Sequence, residues 1–205
     1  MLRHISLQGK KFPYTLTRKQ VKNINLRIKP SGEIAVSAAK SVPLSVIEDF
    51  LQRKADWILA ALEQVQQTPP LPENTVWLQG RALPLPPSET ALQWQKRMAA
   101  QLLPAVYEEA WLLFQQDGFP KPTLRLRSMK SRWGSCIPGK GIITLNTALV
   151  GATPDCQMAV AAHELCHMLH PNHSKAFYAA LEQHFPDYLP CRQALKSAQA
   201  FLFYL

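Results

Sequence analysis

The chain has 205 residues, 47% of them apolar, which excludes a disordered polymer and allows one sizeable core or a catalytic unit with a smaller domain. Its first residues, MLRHISLQGKKF, lack the apolar run of a signal peptide, and no later segment is long enough to cross a bilayer. We therefore expect a cytoplasmic protein without a membrane partner. The net charge of +9 allows an anionic partner, since residues 1–54 hold eleven Lys or Arg against three acids.

The amino-terminal part alternates between apolar and polar residues in short runs. The runs NINLRIKP and EIAVSA flank a turn signal, Pro30-Ser31-Gly32, which indicates a small antiparallel sheet within residues 5–38. From about 43 to 67 the apolar residues recur at helical spacing, which predicts one helix packed on this sheet. We assign residues 1–72 to a basic, strand-rich α/β domain with one long helix.

Residues 73–88 are predicted to connect two domains. The region around them is rich in proline and is interrupted only by the strand-like TVWLQGRAL, a composition typical of a linker. The prolines are Pro69, Pro70, Pro72, Pro84, Pro86 and Pro87. A helical pattern then runs from about 90 to 116, and Pro104 is expected to kink it or divide it in two.

The remaining elements define an α+β catalytic domain over residues 89–205. Strands are predicted at 123–128 and 142–146, on either side of the loop segment MKSRWGSCIPGKG. Thr153 and Pro154 have the residue types of a helix N-cap and first residue, and the helix should continue through residues 163–170. Ser174 is expected to cap the next helix. The prediction is a metal-binding helix packed with a small antiparallel sheet.

The segment HELCHMLHPNHS carries the chemistry of the chain. A helix advances about 100° per residue, so His163 and His167 lie within about 40° of each other and both can reach one zinc ion. Glu164 is displaced to the side, where it can accept a proton from a metal-activated water without being a ligand. This arrangement predicts a zinc-dependent hydrolase with Glu164 as general base and one zinc per chain.

A catalytic zinc needs a third protein ligand and one open position. We prefer His173, because Pro171 and Asn172 end the helix and can return the chain toward the metal. His170 would then contact a ligand or line the pocket. The other candidates are His170, which would have to reach back along the helix axis past His167, and, more distantly, Glu182 and His184, with Glu182 as the fallback.

The sequence resembles the YgjP-like metallopeptidases, which are related to the WLM and SprT-like zinc proteases. The resemblance lies in S-R-W-G-S-C at 131–136, I-T-L-N at 143–146, and H-E-L-C-H through N-H-S with the aromatics that follow. It extends over most of the chain. It implies a zincin-like hydrolase in which His163, His167 and His173 bind zinc and Glu164 is the general base. Some members look like UTP pyrophosphatases.

Lys130, Arg132 and Trp133 lie in the loop between the two predicted strands and are candidates for binding substrate. The planar fork of Arg132 can pair with an oxyanion or a phosphate, whereas the alternative is that Trp133 packs in the core and Arg132 forms a buried ion pair. In zincins the strand before the metal helix pairs with an extended substrate, so Ile142 to Leu145 can offer a sheet edge to a peptide. The alternative is an ordinary covered strand.

The preferred hypothesis is a peptidase-like zinc hydrolase that acts on a peptide. One alternative is a nucleoside triphosphate pyrophosphatase acting on a nucleotide such as UTP, with the six basic residues of 119–140 near the phosphates. Another is a nucleic-acid-associated protein that docks through its basic amino-terminal sheet. A purely structural zinc would leave Glu164 without a role beside the ligands.

Overall fold

The computed structural model describes residues 1–29, 31–67 and 74–202. They belong to two compact units, 1–71 and 72–205. Over these residues the fold is α+β, as predicted, with six α-helices and three small sheets. Pro30 of the predicted turn and three prolines of the connector region, Pro69, Pro70 and Pro72, lie outside the described residues.

The first unit contains a mixed sheet rather than the predicted antiparallel one. Its strands are β1 (Leu2–Leu7), β2 (Lys10–Arg18), β3 (Asn25–Ile28) and β4 (Ile34–Ala38), in the order β1-β2-β4-β3. After β2 the chain reverses into β3 at the edge of the sheet and then reverses again into β4, which lies between β3 and β2. Because of these two reversals, β2 and β4 are parallel. The alternating pattern identified the strands but not their order.

Two helices pack on this sheet where one was predicted. They are α1 (Leu44–Arg53) and α2 (Ala55–Gln67), separated at Lys54, whose φ of −104° and ψ of 11° are not helical. Both helices contribute to one apolar core. The buried members of this core are Ile5, Leu7, Tyr14, Leu16, Ile34, Val36, Ala38, Ile47, Leu51 and Ile58.

The second unit begins with a hairpin, so residues 73–88 are not only a connector. Strands β5 (Thr75–Leu78) and β6 (Arg81–Pro84) pair with each other, and Val76 is fully buried in the core of this unit. The turn of the hairpin is held by backbone bonds, in which Gln79 N donates to Val150 O at 2.7 Å and Gly80 N to Gly151 O at 3.0 Å. The strand-like TVWLQGRAL was placed within a linker because prolines flank it, and the structure shows that it forms two paired strands.

The long helix α3 (Ala91–Phe114) is continuous through Pro104, contrary to the predicted division. A capping box between Thr90 and Gln93 starts it. Its buried face, which includes Leu103 and Tyr107, lies on both sides of the proline. We attribute the continuity to this burial, which offsets the cost of about 3 kcal/mol for an internal proline.

A three-stranded sheet precedes the metal helix, and it too is mixed. Its strands are β7 (Thr123–Arg127), β8 (Gly134–Ile137) and β9 (Ile142–Asn146), in the order β7-β9-β8. The strand β9 is parallel to β7 and antiparallel to β8. Because β9 is paired on both sides, the hypothesis that Ile142 to Leu145 offer an edge to a peptide is wrong and the alternative of a covered strand is confirmed, and β7 and β8 lie at the edges.

Three helices complete the unit, namely α4 (Pro154–Cys166), α5 (Lys175–His184) and α6 (Tyr188–Leu202). The predicted N-caps Thr153 and Ser174 are confirmed. The helix α4 ends at Cys166, with His167 as its C-cap, four residues before the predicted end. Within the described residues, none of the helices combines the length and apolarity that a bilayer span requires.

Candidate metal site

Helix α4 fixes the first two histidines of the site. Its alanine-rich body is buried, with Ala159, Ala161 and Ala162 fully inaccessible, so the helix can pass through the core of the unit. His163 lies in its last turn, and His167 follows in a near-helical conformation with φ of −65° and ψ of −17°. The two side chains therefore keep the one-turn spacing predicted from the sequence, with ring centroids 4.9 Å apart.

A reversal of the chain brings His173 to the same place. After His167 the amides of residues 168–170 bond back to the end of α4, and Ser174 then caps α5 by accepting a hydrogen bond from Phe177 N at 3.3 Å. The Nε2 atoms of His163 and His173 are 3.0 Å apart. The ligand atoms of all three histidines lie within 4.8 Å of one another.

The three imidazoles are suited to a cation that accepts nitrogen ligands. Burial lowers the pKa of His163 to about 3, with further lowering by the neighbouring histidines and Arg192, so this ring is neutral near pH 7. Burial also lowers the pKa of His167. Neutral imidazole is the form that binds metal ions. The donor set of three histidines matches the ligand number of a catalytic metal site with one open position.

Hydrogen bonds at the outer ring nitrogens set which nitrogen faces the centre. His167 Nδ1 lies 3.1 Å from the carbonyl oxygen of His170. Because a carbonyl can only accept, this Nδ1 carries the proton and Nε2 keeps its lone pair for a ligand. His170 thus contributes through its backbone, and its side chain is not part of the histidine cluster.

Tyr188 holds the outer nitrogen of His163, a contact that sequence reasoning missed. Its hydroxyl lies 2.8 Å from His163 Nδ1, and the side chain is buried at the start of α6. When Nε2 of His163 serves as a ligand, Nδ1 donates to the hydroxyl oxygen of Tyr188. The two residues are 25 positions apart and share no motif, so spacing alone gave no signal.

Glu164 is buried beside the histidines, with 6% of its surface exposed. Burial raises the pKa of its carboxyl group to about 8, and the positive charge of Arg132 acts in the opposite direction. The side chain rests against Gly134 of β8, where a Cβ atom would lie 2.5 Å from Glu164 Oε1. A side chain at position 134 would therefore displace Glu164, and the sequence showed Gly134 only as part of the R-W-G-S motif.

Asn146 organises the loop between β7 and β8 and was also missed as a functional candidate. It is fully buried, and its side-chain amide donates to the carbonyl oxygens of Met129 and Arg132, both at 2.8 Å. Its Oδ1 accepts from Met129 N and Ala148 N. The final residue of the I-T-L-N segment thus fixes the backbone that carries Arg132 and Trp133.

The loop candidates are not equivalent in the structure. Arg132 and Trp133 line a cavity of about 600 Å³ together with His163, Glu164 and other residues. Trp133 is half-buried and also packs against the core, so both interpretations of this residue hold in part. Arg132 is exposed, which removes the alternative of a buried ion pair, and Lys130 is exposed and does not line the cavity.

The other candidates for the third ligand lie elsewhere. Glu182 is exposed on α5 and belongs neither to the cavity lining nor to the histidine cluster. His184 faces a different partner, with its Nε2 3.2 Å from Asp117 Oδ2. Over the described part of the chain, His163, His167 and His173 form the one group of metal-ligating residue types that meets in this way.

An H-E-x-x-H helix that meets a third histidine beside a buried glutamate is typical of metal-dependent hydrolases. The family model described as "YgjP-like, metallopeptidase domain" matches residues 22–117 and 87–198, and the chain belongs to this family. The family assigns it to the metal-dependent hydrolases of the peptidase type and implies a metal cofactor.

Among solved structures, the metallopeptidase zymogen abylysin of Pyrococcus abyssi is similar to part of the chain. The alignment covers 48% of this chain and 96% of abylysin, with 20% identity and a TM-score of 0.42. No curated protein matches the sequence.

Proposed function

We propose that the protein is a zinc peptidase in which His163, His167 and His173 hold the metal and Glu164 is the general base. The observation that supports this most directly is the convergence of the three ligand nitrogens, within 4.8 Å, in a cavity that Glu164 also lines. Three imidazoles and an open position are a donor set that zinc favours. A fourth ligand from the protein, as in structural zinc sites, is not part of this cluster in the described residues.

Bound zinc supplies Lewis acidity, which polarises the scissile carbonyl and makes water more acidic. Glu164 has the position and environment to take the proton from the attacking water and pass it to the leaving amine. Burial raises the pKa of its carboxyl group to about 8, and the positive charge of a bound metal ion would lower it toward the carboxylate form that a general base needs. His163 Nδ1 donates to the Tyr188 hydroxyl oxygen and His167 Nδ1 to the His170 carbonyl oxygen, and these hydrogen bonds keep the two imidazoles oriented.

The strand β8 is suited to hold the backbone of an extended peptide. In the part of the chain that the structure describes, β8 pairs with β9 alone, so its other edge keeps unpaired backbone groups. Gly134, Ser135 and Cys136 of this strand line the cavity. Addition of a peptide strand to such an edge is a common recognition mode. This supports a peptide as the substrate.

A nucleoside triphosphate pyrophosphatase is the second candidate function. It is favoured by one specific observation, the presence of Arg132, Arg192 and Lys196 in the cavity lining, where they can pair with phosphate oxygens. Of the six basic residues in 119–140, only Arg132 takes this place. The prediction that the basic amino-terminal domain binds nucleic acid remains a prediction.

The test compares Glu164→Gln with Glu182→Gln, a charge-matched control on the exposed face of α5. Each protein is incubated with an unstructured protein and, separately, with UTP. We expect wild type and Glu182→Gln to release peptide fragments, and Glu164→Gln to lose at least about 100-fold of this rate. Release of pyrophosphate from UTP without peptide cleavage would select the second candidate. Equal rates for Glu164→Gln and wild type would contradict both.

A further inference from the structure

Three basic side chains surround the candidate active site without a matching acid. We call Arg132, Arg192 and Lys196 the cationic rim, since all three line the cavity and carry the positive charges there. Among the described cavity-lining residues Glu164 alone is acidic, and its carboxyl group is buried. Substrate that enters the cavity therefore meets a positive surface.

Two independent elements place the cationic rim. Arg192 and Lys196 follow Tyr188 at intervals of four on α6, so the three side chains lie on one face of that helix. The buried Tyr188, through its 2.8 Å contact with His163, fixes this face against the metal site. Arg132 comes from the loop whose backbone Asn146 holds by its bond to the Arg132 carbonyl oxygen.

The cationic rim is available to a ligand. In the described residues no carboxylate oxygen lies within 4.0 Å of the charged nitrogens of the three side chains. The Arg192 guanidinium lies over the Tyr178 ring, 5.7 Å from its centroid, a contact that leaves its hydrogen-bond donors free for an anion.

We propose that the cationic rim selects peptides that carry an acidic side chain beside the scissile bond. This inference rests on the proposed function, which supplies the cleavage of a peptide bond. It goes beyond that function because it names the class of peptide that is cleaved. The edge of β8 that has no strand partner in the described residues favours an extended backbone, and an arginine fork pairs well with the carboxylate that such a backbone can present. A lysine adds a point charge of the same sign.

Binding is tested separately from cleavage. Two fluorescent peptides that differ only by Glu or Gln at one position are titrated, by anisotropy at low salt, against zinc-loaded Glu164→Gln protein. The varied position is moved along the peptide in a series of such pairs. For the pair whose varied residue reaches the cationic rim, we expect the Glu peptide to bind about 10-fold more tightly than the Gln peptide. The same protein is then given three further substitutions in the cationic rim, namely Arg132→Gln, Arg192→Gln and Lys196→Gln. These substitutions should abolish the difference in affinity between the two peptides.

The matched control is Arg125→Gln, an exposed arginine on β7 outside the cavity lining, which should retain the preference. Equal binding of Glu and Gln peptides at every position would overturn the proposal. Rim-dependent binding of UTP without any peptide preference would also overturn it and point to phosphate as the ligand. A rim-dependent preference in a wild-type protein that cleaves no peptide would support the binding of acidic peptides at the cationic rim and refute the proposed function.

Discussion

Replacing Gly134 by alanine tests whether the position of Glu164 matters for catalysis. The added Cβ would lie 2.5 Å from Oε1, 2.6 Å from Cγ and 2.8 Å from Cδ of Glu164. Ordinary contact begins at 3.4 Å, so the carboxylate must move by about 0.9 Å, from 2.5 to 3.4 Å. The backbone of Gly134 does not have a positive φ, so the effect of the methyl group is steric.

A displacement of about 1 Å at a reacting group can lower the rate about 100-fold. We therefore expect Gly134→Ala to lose about 100-fold in kcat with its metal content unchanged, because the three histidines are not displaced. Overpacking at this position should lower the free energy of unfolding by about 1–3 kcal/mol. Peptide cleavage, elemental analysis and urea unfolding measure the three quantities.

Gly139→Ala is the matched control, since a Cβ at Gly139 meets no atom within 4 Å. It should have wild-type activity and stability. A folded, metal-loaded Gly134→Ala protein with wild-type kcat would refute the claim that the contact between Gly134 and Glu164 sets the position of the general base.

Two further substitutions test the groups that support the site. Tyr188→Phe removes the hydroxyl that contacts His163. Zinc affinity, measured by chelator competition, should fall about 10-fold while the fold is retained. Unchanged affinity would show that this hydroxyl does not orient the ligand. Asn146→Ala removes a fully buried amide with four backbone contacts. Urea unfolding should show that the free energy of unfolding falls by about 2–4 kcal/mol. A fall below about 0.5 kcal/mol would contradict the role assigned to Asn146.

The parts of the site that follow from local geometry could be predicted from the sequence. The one-turn spacing of His163 and His167 is a property of any helix, and the cap at Ser174 is a local hydrogen bond. The reversal of the chain that brings His173 back to His163 also takes place within the short HELCHMLHPNHS segment. These interactions span at most ten residues, which is why residue spacing alone could predict them.

The parts that depend on distant chain segments could not be predicted in this way. Strand order is one example, since the alternating pattern of β9 does not say that β8 and β7 flank it on both sides. The contact of Tyr188 with His163 and that of Gly134 with Glu164 join residues 25 and 30 positions apart. The hairpin at 75–84 was obscured because its burial comes from packing on the rest of its unit.

The central claim is that His163, His167 and His173 hold one metal ion, and metal content measures it most directly. Purified wild type, Glu164→Gln and His163→Ala are supplied with zinc, dialysed and analysed for elements. We predict about one zinc per chain in wild type and Glu164→Gln, and a loss of zinc in His163→Ala. Wild-type protein without bound metal, or His163→Ala with as much zinc as wild type, would contradict the account.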